Sequence, residues 1–160
     1  MSGSEEGYLE ERLREFPEDP TSGRSAYRIF TIERERGHFR RARAMALRSR
    51  AFLDDSGNPT DRKALGDLLY AWGQMEQEIH HPAAAYRAWS DFVKFAPEDS
   101  RAGWAQYQLG KIAETMGRSD DAYQWFRRAS LAKGPAPLSD VARQKADAIK
   151  LRQEAQNRGL

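Results

Sequence analysis

Residues 103–135 read GWAQYQLGKIAETMGRSDDAYQWFRRASLAKGP, and this stretch decides the fold of the chain. It holds two amphipathic helical patterns, one on each side of the turn Gly117–Asp120. Small residues stand where the two helices must approach closely, namely Gly110, Ala113, Ala122 and Ala129. Large apolar residues fill the space beside them, namely Leu109, Trp125 and Phe126. The stretch therefore predicts two antiparallel helices joined by a short turn.

This helix–turn–helix pattern resembles the tetratricopeptide repeat (TPR), a unit of about 34 residues with the pattern W-x2-L-G-x2-Y…A-x3-F…P. The residues on the pattern are Leu109, Gly110, Gly117, Ala122, Phe126 and Ala129, and Pro135 follows one position late. Two positions differ, since Ala113 replaces the usual Tyr and Gln106 replaces the usual Trp. The resemblance implies an all-α fold, a right-handed TPR superhelix (α-solenoid) of antiparallel helix pairs.

A degenerate copy of this stretch lies eighty residues earlier in the chain. The tripeptide Pro17–Asp19 recurs as Pro97–Asp99, and the same offset aligns Gly23 with Gly103, Tyr27 with Tyr107, Gly37 with Gly117 and Ala42 with Ala122. Phe30 stands where Gly110 does, so we expect the two helices of this copy to be pushed apart or tilted. A further copy, Gly66–Asp99, lies between the two.

These copies divide the chain into six predicted segments. They are an N-terminal capping helix and turn (1–22), a degenerate TPR 1 (23–56), a linker and helix start (57–65), TPR 2 (66–99), TPR 3 (100–136) and a C-terminal capping helix (137–160). The first helix, expected over Gly7–Phe16, is either a cap or the cut edge of a longer array. The last helix, Ser139–Gln156, is polar, as the end of a solenoid must be. Ser100 is the expected N-cap of the first helix of TPR 3, and Ser139 is the expected N-cap of the last helix.

Composition places the chain among globular proteins. Of its 160 residues, 31% are charged and 39% hydrophobic, and the net charge of +2 is small for a nucleic-acid-binding protein. The chain has no cysteine, which excludes disulfides, thiolate catalysis and Cys-based metal sites. The N-terminus lacks the apolar core of a signal peptide, and no run is long enough to span a bilayer. These features predict a cytoplasmic protein without a transmembrane segment.

A periplasmic location is the alternative, if the chain lacks its native export signal. The segments Pro97–Ser100 and Pro137–Ser139 precede helices in the form P-x-S-x-x-A…L-G. This form resembles repeats of bacterial envelope TPR proteins, such as the outer-membrane-assembly lipoproteins and the Tol–Pal coordinator. The resemblance covers about half of the chain and bears on localisation.

In TPR proteins the first helix of each repeat lines a concave groove, and its second, fifth, ninth and twelfth positions face that groove. The resemblance therefore implies a partner-binding set: Arg24, Tyr27, Arg34, Tyr70, Gln74, Gln77, Trp104, Tyr107, Lys111 and Glu114. Tyrosines at the fifth position of all three repeats either form a ladder for an extended or helical peptide or serve packing between first helices. Some TPR proteins clamp a C-terminal carboxylate with Lys and Asn, but here Tyr70 and Gln74 stand at those positions.

The sequence thus predicts a non-catalytic protein–protein interaction scaffold or adaptor that binds a peptide or helix in the concave groove. One alternative is a scaffold that assembles with itself into a homo-oligomer. Another is that the nine arginines between Arg24 and Arg50 bind nucleic acid or an acidic partner. We favour a solvated face for this basic cluster, which makes nucleic acid the less favoured partner.

Nothing in the sequence indicates an enzyme or a cofactor. It contains no Gly-rich phosphate loop, nucleophile elbow or paired-carboxylate motif. Glu76 and His80 are four residues apart, but a metal site would need a third ligand. His38, His80 and His81 are better explained as residues of inter-helix turns. We therefore expect no catalytic residue, no metal and no cofactor.

Overall fold

The computed structural model describes residues 4–159, and these form eight α-helices and no strand. The helices are α1 (Glu5–Glu15), α2 (Ser22–Glu35), α3 (Phe39–Asp54), α4 (Pro59–Glu78), α5 (Pro82–Phe95), α6 (Ala102–Thr115), α7 (Ser119–Leu131) and α8 (Ala136–Asn157). The predicted all-α class is confirmed, whereas the TPR superhelix stays a prediction. The chain divides into an N-terminal unit, Met1–Glu78, and a C-terminal unit, Ile79–Leu160.

Each unit contains four helices that pack in the same order. In the N-terminal unit α1 packs on α2, α2 on α3 and α3 on α4, and α2 also contacts α4. In the C-terminal unit α5 packs on α6, α6 on α7 and α7 on α8, and α6 also contacts α8. Helices α2 and α6 begin and end eighty residues apart, as the sequence offset predicts. The two units are therefore built on one plan.

Two glycines shape the equivalent turns of the two units. Gly37 follows α2 with φ 77°, and Gly117 follows α6 with φ 73°, both in the left-handed region that favours glycine. The next N–H reaches back to the helix: His38 donates to the Glu33 carbonyl at 2.9 Å and Arg118 to the Ala113 carbonyl at 2.8 Å. This motif reverses the chain within a few residues, so the following helix packs against the preceding one.

The repeated Pro-Glu-Asp tripeptide also has a structural role. The Asp19 carboxylate accepts the Thr21 N–H at 2.7 Å, and the Asp99 carboxylate accepts the Arg101 N–H at 2.9 Å. Each aspartate thus holds the turn before the following helix through a bond two residues ahead. The prediction that Ser100 is an N-cap was wrong, because α6 begins at Ala102 and the aspartate makes this bond.

Close packing of α6 on α7 depends on Gly110. A Cβ at Gly110 would lie 2.6 Å from ring carbons of Phe126, so only glycine fits opposite this ring. Phe126 is fully buried in a cluster with Ala113, Ala122, Ala146 and Ile149. The predicted roles of Gly110 and Phe126 in bringing two helices together are confirmed.

The N-terminal unit places the large residue on the opposite helix. Phe30 occupies the α2 position equivalent to Gly110, and Ala46 occupies the α3 position equivalent to Phe126. Both are buried, and α2 packs on α3. The expectation that Phe30 would push the helices apart overlooked Ala46, because the exchange keeps the total volume between the helices similar.

Several helices begin earlier than the sequence pattern predicts. Helix α1 starts at Glu5, where the Ser4 hydroxyl caps the Gly7 N–H at 3.0 Å. Helix α8 starts at Ala136, three residues before Ser139, because proline is tolerated in the first turn of a helix.

Neither helix α8 nor any other helix within residues 4–159 is both long and apolar enough to cross a membrane.

Candidate functional site

The C-terminal unit carries an apolar pocket of about 690 Å³ between α6, the α7–α8 turn and the start of α8. Its apolar walls include Trp104, Tyr107, Leu138 and Val141. The basic residues around it are Arg101, Lys111 and Lys133, and none of the described lining residues is acidic. Three of the ten predicted partner-binding residues, Trp104, Tyr107 and Lys111, therefore meet at one site.

A close contact of α6 with the end of α7 forms one wall of this pocket. A Cβ at Gly103 would lie 3.0 Å from the Ala132 Cβ and 3.9 Å from Leu138 Cδ2. This approach places the α7–α8 turn, with Lys133 and Pro135, beside the first turns of α6. The turn residues thus complete a surface that α6 could not form alone.

The aromatic residues of the pocket are linked to the core. The Trp104 and Tyr107 rings lie 5.8 Å apart, and the Tyr107 ring lies 5.7 Å from Phe126. Tyr107 is half-buried, whereas Trp104 is 42% exposed. Tyr107 therefore joins the pocket to the packed interior, and Trp104 offers an open indole face. Large exposed apolar groups of this kind mark interaction sites when they line a concave surface.

The three basic residues of the pocket differ in their partners. Arg101 forms an ion pair with Asp99, with its Nε 3.0 Å from the carboxylate. The Lys111 ammonium lies 5.4 Å from the centre of the Tyr107 ring, a cation–π contact. Within residues 4–159, Lys111 and Lys133 form no ion pair. Two lysine charges are thus left to a ligand.

Other predicted groove residues are occupied within their own unit. Arg24 pairs with Asp61 at 3.0 Å and Arg34 with Glu78 at 2.8 Å, so two ion pairs join α2 to α4. Glu114 lies 3.2 Å from Arg152 of α8. These side chains serve helix–helix packing, which the sequence could not reveal because their partners lie far away along the chain.

The remaining four predicted residues, Tyr27, Tyr70, Gln74 and Gln77, do not line the pocket. The Tyr27 ring stacks on Phe30 of the same helix with 6.1 Å between centroids, a contact within α2 that tests neither the ladder nor packing between first helices. Tyr70, Gln74 and Gln77 lie half-buried on α4. The predicted tyrosine ladder stays a prediction.

Of the pocket residues named above, sequence reasoning missed four, Arg101, Lys133, Leu138 and Val141. Arg101 and Lys133 lie in the predicted TPR 3 (100–136), and Leu138 and Val141 lie in the predicted C-terminal capping helix (137–160). The spacing of Leu138 and Val141, three residues apart, is a signal for an apolar helical face that could have been found. Their meeting with α6 depends on the tertiary fold.

The basic cluster of Arg24–Arg50 is neutralised by the rest of its unit. Seven of its nine arginines form ion pairs, namely Arg24, Arg28, Arg34, Arg36, Arg41, Arg43 and Arg50. Arg48 donates to the Leu13 carbonyl at 3.3 Å. The N-terminal unit holds 13 basic and 15 acidic residues. Because most of these arginines are paired with carboxylates, their charge gives little support for nucleic-acid binding. The cluster is also more than the simply solvated face that we expected.

Two of these arginines, Arg36 and Arg41, also form ion pairs with the buried carboxylates of Glu6 and Glu33, where α1, α2 and α3 meet. Glu6 lies beside Glu33 and contacts Arg36, and the interaction with Glu33 together with burial raises the pKa of Glu6 above its ordinary value. Burial alone would raise the pKa of Glu33. The interaction with Glu6, Arg41 at 3.2 Å and His38 at 3.1 Å outweigh burial and lower it. The two neighbouring carboxyl groups thus have pKa values shifted in opposite directions.

The described residues give no sign of a metal centre. Among residues 4–159, no group of three or more His, Asp or Glu side chains is placed to hold a metal ion. The buried Glu76 carboxylate instead accepts two bonds from Arg43, at 2.6 and 2.8 Å, and one from Trp72 at 3.2 Å. His80 lies in the turn before α5 with φ 60°. Glu76 is thus a structural ion-pair partner.

No family model matches the chain, and no curated protein matches it. The functional conclusion therefore depends on the geometry of the pocket.

Proposed function

We propose that the chain is a non-catalytic interaction module of the TPR type, which binds a peptide segment of a partner protein in the pocket of its C-terminal unit. The observation that supports this proposal is an exposed Trp104 on an apolar pocket whose two lysines form no ion pair with any residue in 4–159. Buried or paired side chains would need no ligand, whereas an open aromatic face in a concave site gains free energy when a partner covers it.

The proposal includes a TPR superhelix and a cytoplasmic scaffold, as the sequence resemblance implies. A peptide is the favoured ligand because the pocket lies along a helix and is open to solvent, with aromatic and aliphatic walls. Tyr107 and Phe126 hold the indole of Trp104 over a packed core, so part of the surface is preorganised before binding.

Selection from a random peptide library displayed on phage tests this proposal. The full chain is the bait, and selected peptides are then measured against Trp104→Ala and Leu151→Ala. Leu151 is 65% exposed on α8 and does not line the pocket, so it is a matched control for the loss of an exposed apolar side chain.

We expect selected peptides to bind the wild-type chain and Leu151→Ala alike, and to lose at least about tenfold in affinity for Trp104→Ala. Circular dichroism must show that all three proteins have the same helicity. If no peptide is enriched, or if Trp104→Ala binds the selected peptides as tightly as the wild type does, the proposed function is wrong.

A further inference from the structure

We infer that the pocket selects one chemical class of partner, a peptide segment in which acidic residues lie on both sides of a large apolar side chain. This inference rests on the proposed function and adds the chemistry of the ligand. It follows from the arrangement of apolar walls and charges in the C-terminal unit.

The apolar part of the pocket fits a large side chain. Its volume of about 690 Å³ is in the range of pockets that hold small organic ligands, roughly 300–1,000 Å³. Leu138 and Val141 of α8 stand with Trp104 of α6 among its lining residues, so aliphatic and aromatic surface is available together. An aromatic or long aliphatic residue of the partner would cover these groups and remove them from water.

The charges of the pocket favour acidic neighbours for that side chain. Lys111 comes from α6 and Lys133 from the α7–α8 turn, so the two ammonium groups come from different elements around the pocket. Asp99 already neutralises Arg101, and no described lining residue is acidic. A segment with carboxylates on both sides of its apolar residue would satisfy both lysines.

The wider field of this unit acts in the same direction. The C-terminal unit holds 13 basic and 9 acidic residues, whereas the N-terminal unit holds 13 basic and 15 acidic ones. Long-range attraction therefore favours an acidic segment near the C-terminal unit. Lys111 also lies against Tyr107, which holds its ammonium beside the apolar wall.

Fluorescence anisotropy with labelled synthetic peptides tests the inference on the full chain. The reference peptide carries a central Trp flanked by Glu and Asp on both sides. A second peptide has Gln and Asn in place of the acids, and a third keeps the acids but has Ala at the centre. Each is titrated against the wild type, Lys111→Gln, Lys133→Gln and Lys150→Gln. Lys150 is exposed on α8 and does not line the pocket, so it controls for the change in net charge.

We expect the acidic Trp peptide to bind about tenfold more tightly than either analogue. The neutral peptide loses two exposed ion pairs with the lysines, and the Ala peptide loses the side chain that fills the pocket. Lys111→Gln and Lys133→Gln should each remove part of the preference for acids, and Lys150→Gln should keep it. The preference should shrink in high salt.

The outcomes separate the inference from the proposed function. If the acidic and neutral Trp peptides bind equally, and both depend on Trp104, the pocket binds peptides but the charge inference is wrong. If Lys150→Gln loses as much as Lys111→Gln, the net charge and not the pocket is responsible, and the inference fails. If no Trp peptide binds the wild type, the inference is wrong, whereas the proposed function is decided by the selection from the random peptide library. Displacement of the peptide by an oligothymidine, or self-association of the chain that blocks the peptide, would assign the pocket to nucleic acid or to a second copy and overturn the inference.

Discussion

Exchanging the large and small residues between α6 and α7 should leave the C-terminal unit folded, although each single change damages it. In this unit Gly110 faces the buried ring of Phe126, whereas the N-terminal unit has Phe30 and Ala46 at the equivalent positions. The double variant Gly110→Phe with Phe126→Ala reproduces the arrangement of α2 and α3. It therefore tests whether the two units use one packing geometry.

The two single changes should be costly for different reasons. Phe126→Ala removes a fully buried ring and leaves a cavity, which costs about 3–5 kcal/mol of unfolding free energy. Gly110→Phe places a Cβ 2.6 Å from ring carbons of Phe126, and such overpacking costs about 1–3 kcal/mol or more. In the double variant the new ring at 110 fills the cavity left at 126. We expect a total loss below about 2 kcal/mol, and hence a favourable coupling of about 3 kcal/mol between the sites.

Urea unfolding followed by circular dichroism measures all four proteins of this double-mutant cycle. The reciprocal pair Phe30→Gly with Ala46→Phe in the N-terminal unit is the matched control, and it should show coupling of the same sign. A double variant as unstable as the sum of its single changes, with coupling below about 0.5 kcal/mol, would refute the reasoning. The opposite placement of the large and small residues in the two units would then not indicate that the two helix pairs share one packing geometry.

Three further changes test the buried charges and one turn. Because the pKa of Glu6 is raised, its protonated form stabilises the fold; this contribution is complete below the ordinary value of 4.5 and is lost as pH rises through the raised pKa. Glu6→Gln carries no titrating group at this position, so its melting temperature relative to the wild type should rise as pH increases through that interval; a difference that does not change with pH would contradict this sign. Arg43→Met removes the guanidinium that pairs with the buried Glu76 carboxylate, and it should lower the free energy of unfolding in urea by about 3–5 kcal/mol. The double variant Arg43→Met with Glu76→Gln should restore most of this free energy. His80→Gly relieves a left-handed residue and should raise the melting temperature by about 2–4 °C, whereas an unchanged value would show that the turn is not strained.

The elements that repeat in sequence were predictable, since local chemistry determines them. Gly37 and Gly117 take positive φ values in the turns between helices, and the spacing of apolar residues indicates which helix face is buried. Helix starts were less predictable: Ser4 and Pro135 precede helices that were expected to begin two or three residues later. Capping side chains and prolines extend a helix beyond its apolar pattern.

The candidate site was predicted only in part. Trp104, Tyr107 and Lys111 follow from the repeat register because they lie on one helix face. The ion pairs that occupy Arg24 and Arg34 could not be predicted, since Asp61 and Glu78 lie about forty residues away and many other acids could have met these arginines. The same holds for Leu138 and Val141, which meet α6 only through the close approach at Gly103.

The two units show that one helical plan allows opposite uses of the same positions. The buried Glu6 and Glu33 of the N-terminal unit correspond to Tyr86 and Ala113 in the C-terminal unit, where Trp125 donates to the Tyr86 hydroxyl at 2.7 Å. Buried ion pairs add little net stability over apolar packing, because desolvation offsets their attraction. Helix α1 fully buries Leu13 alone among its apolar side chains, and its Glu5, Glu6 and Glu10 pair with Arg28, Arg36 and Arg41. The N-terminal unit pairs most of its basic cluster with its own carboxylates. This supports our proposal that a partner binds the aromatic surface of the C-terminal unit, beside Lys111 and Lys133, which form no ion pair within residues 4–159.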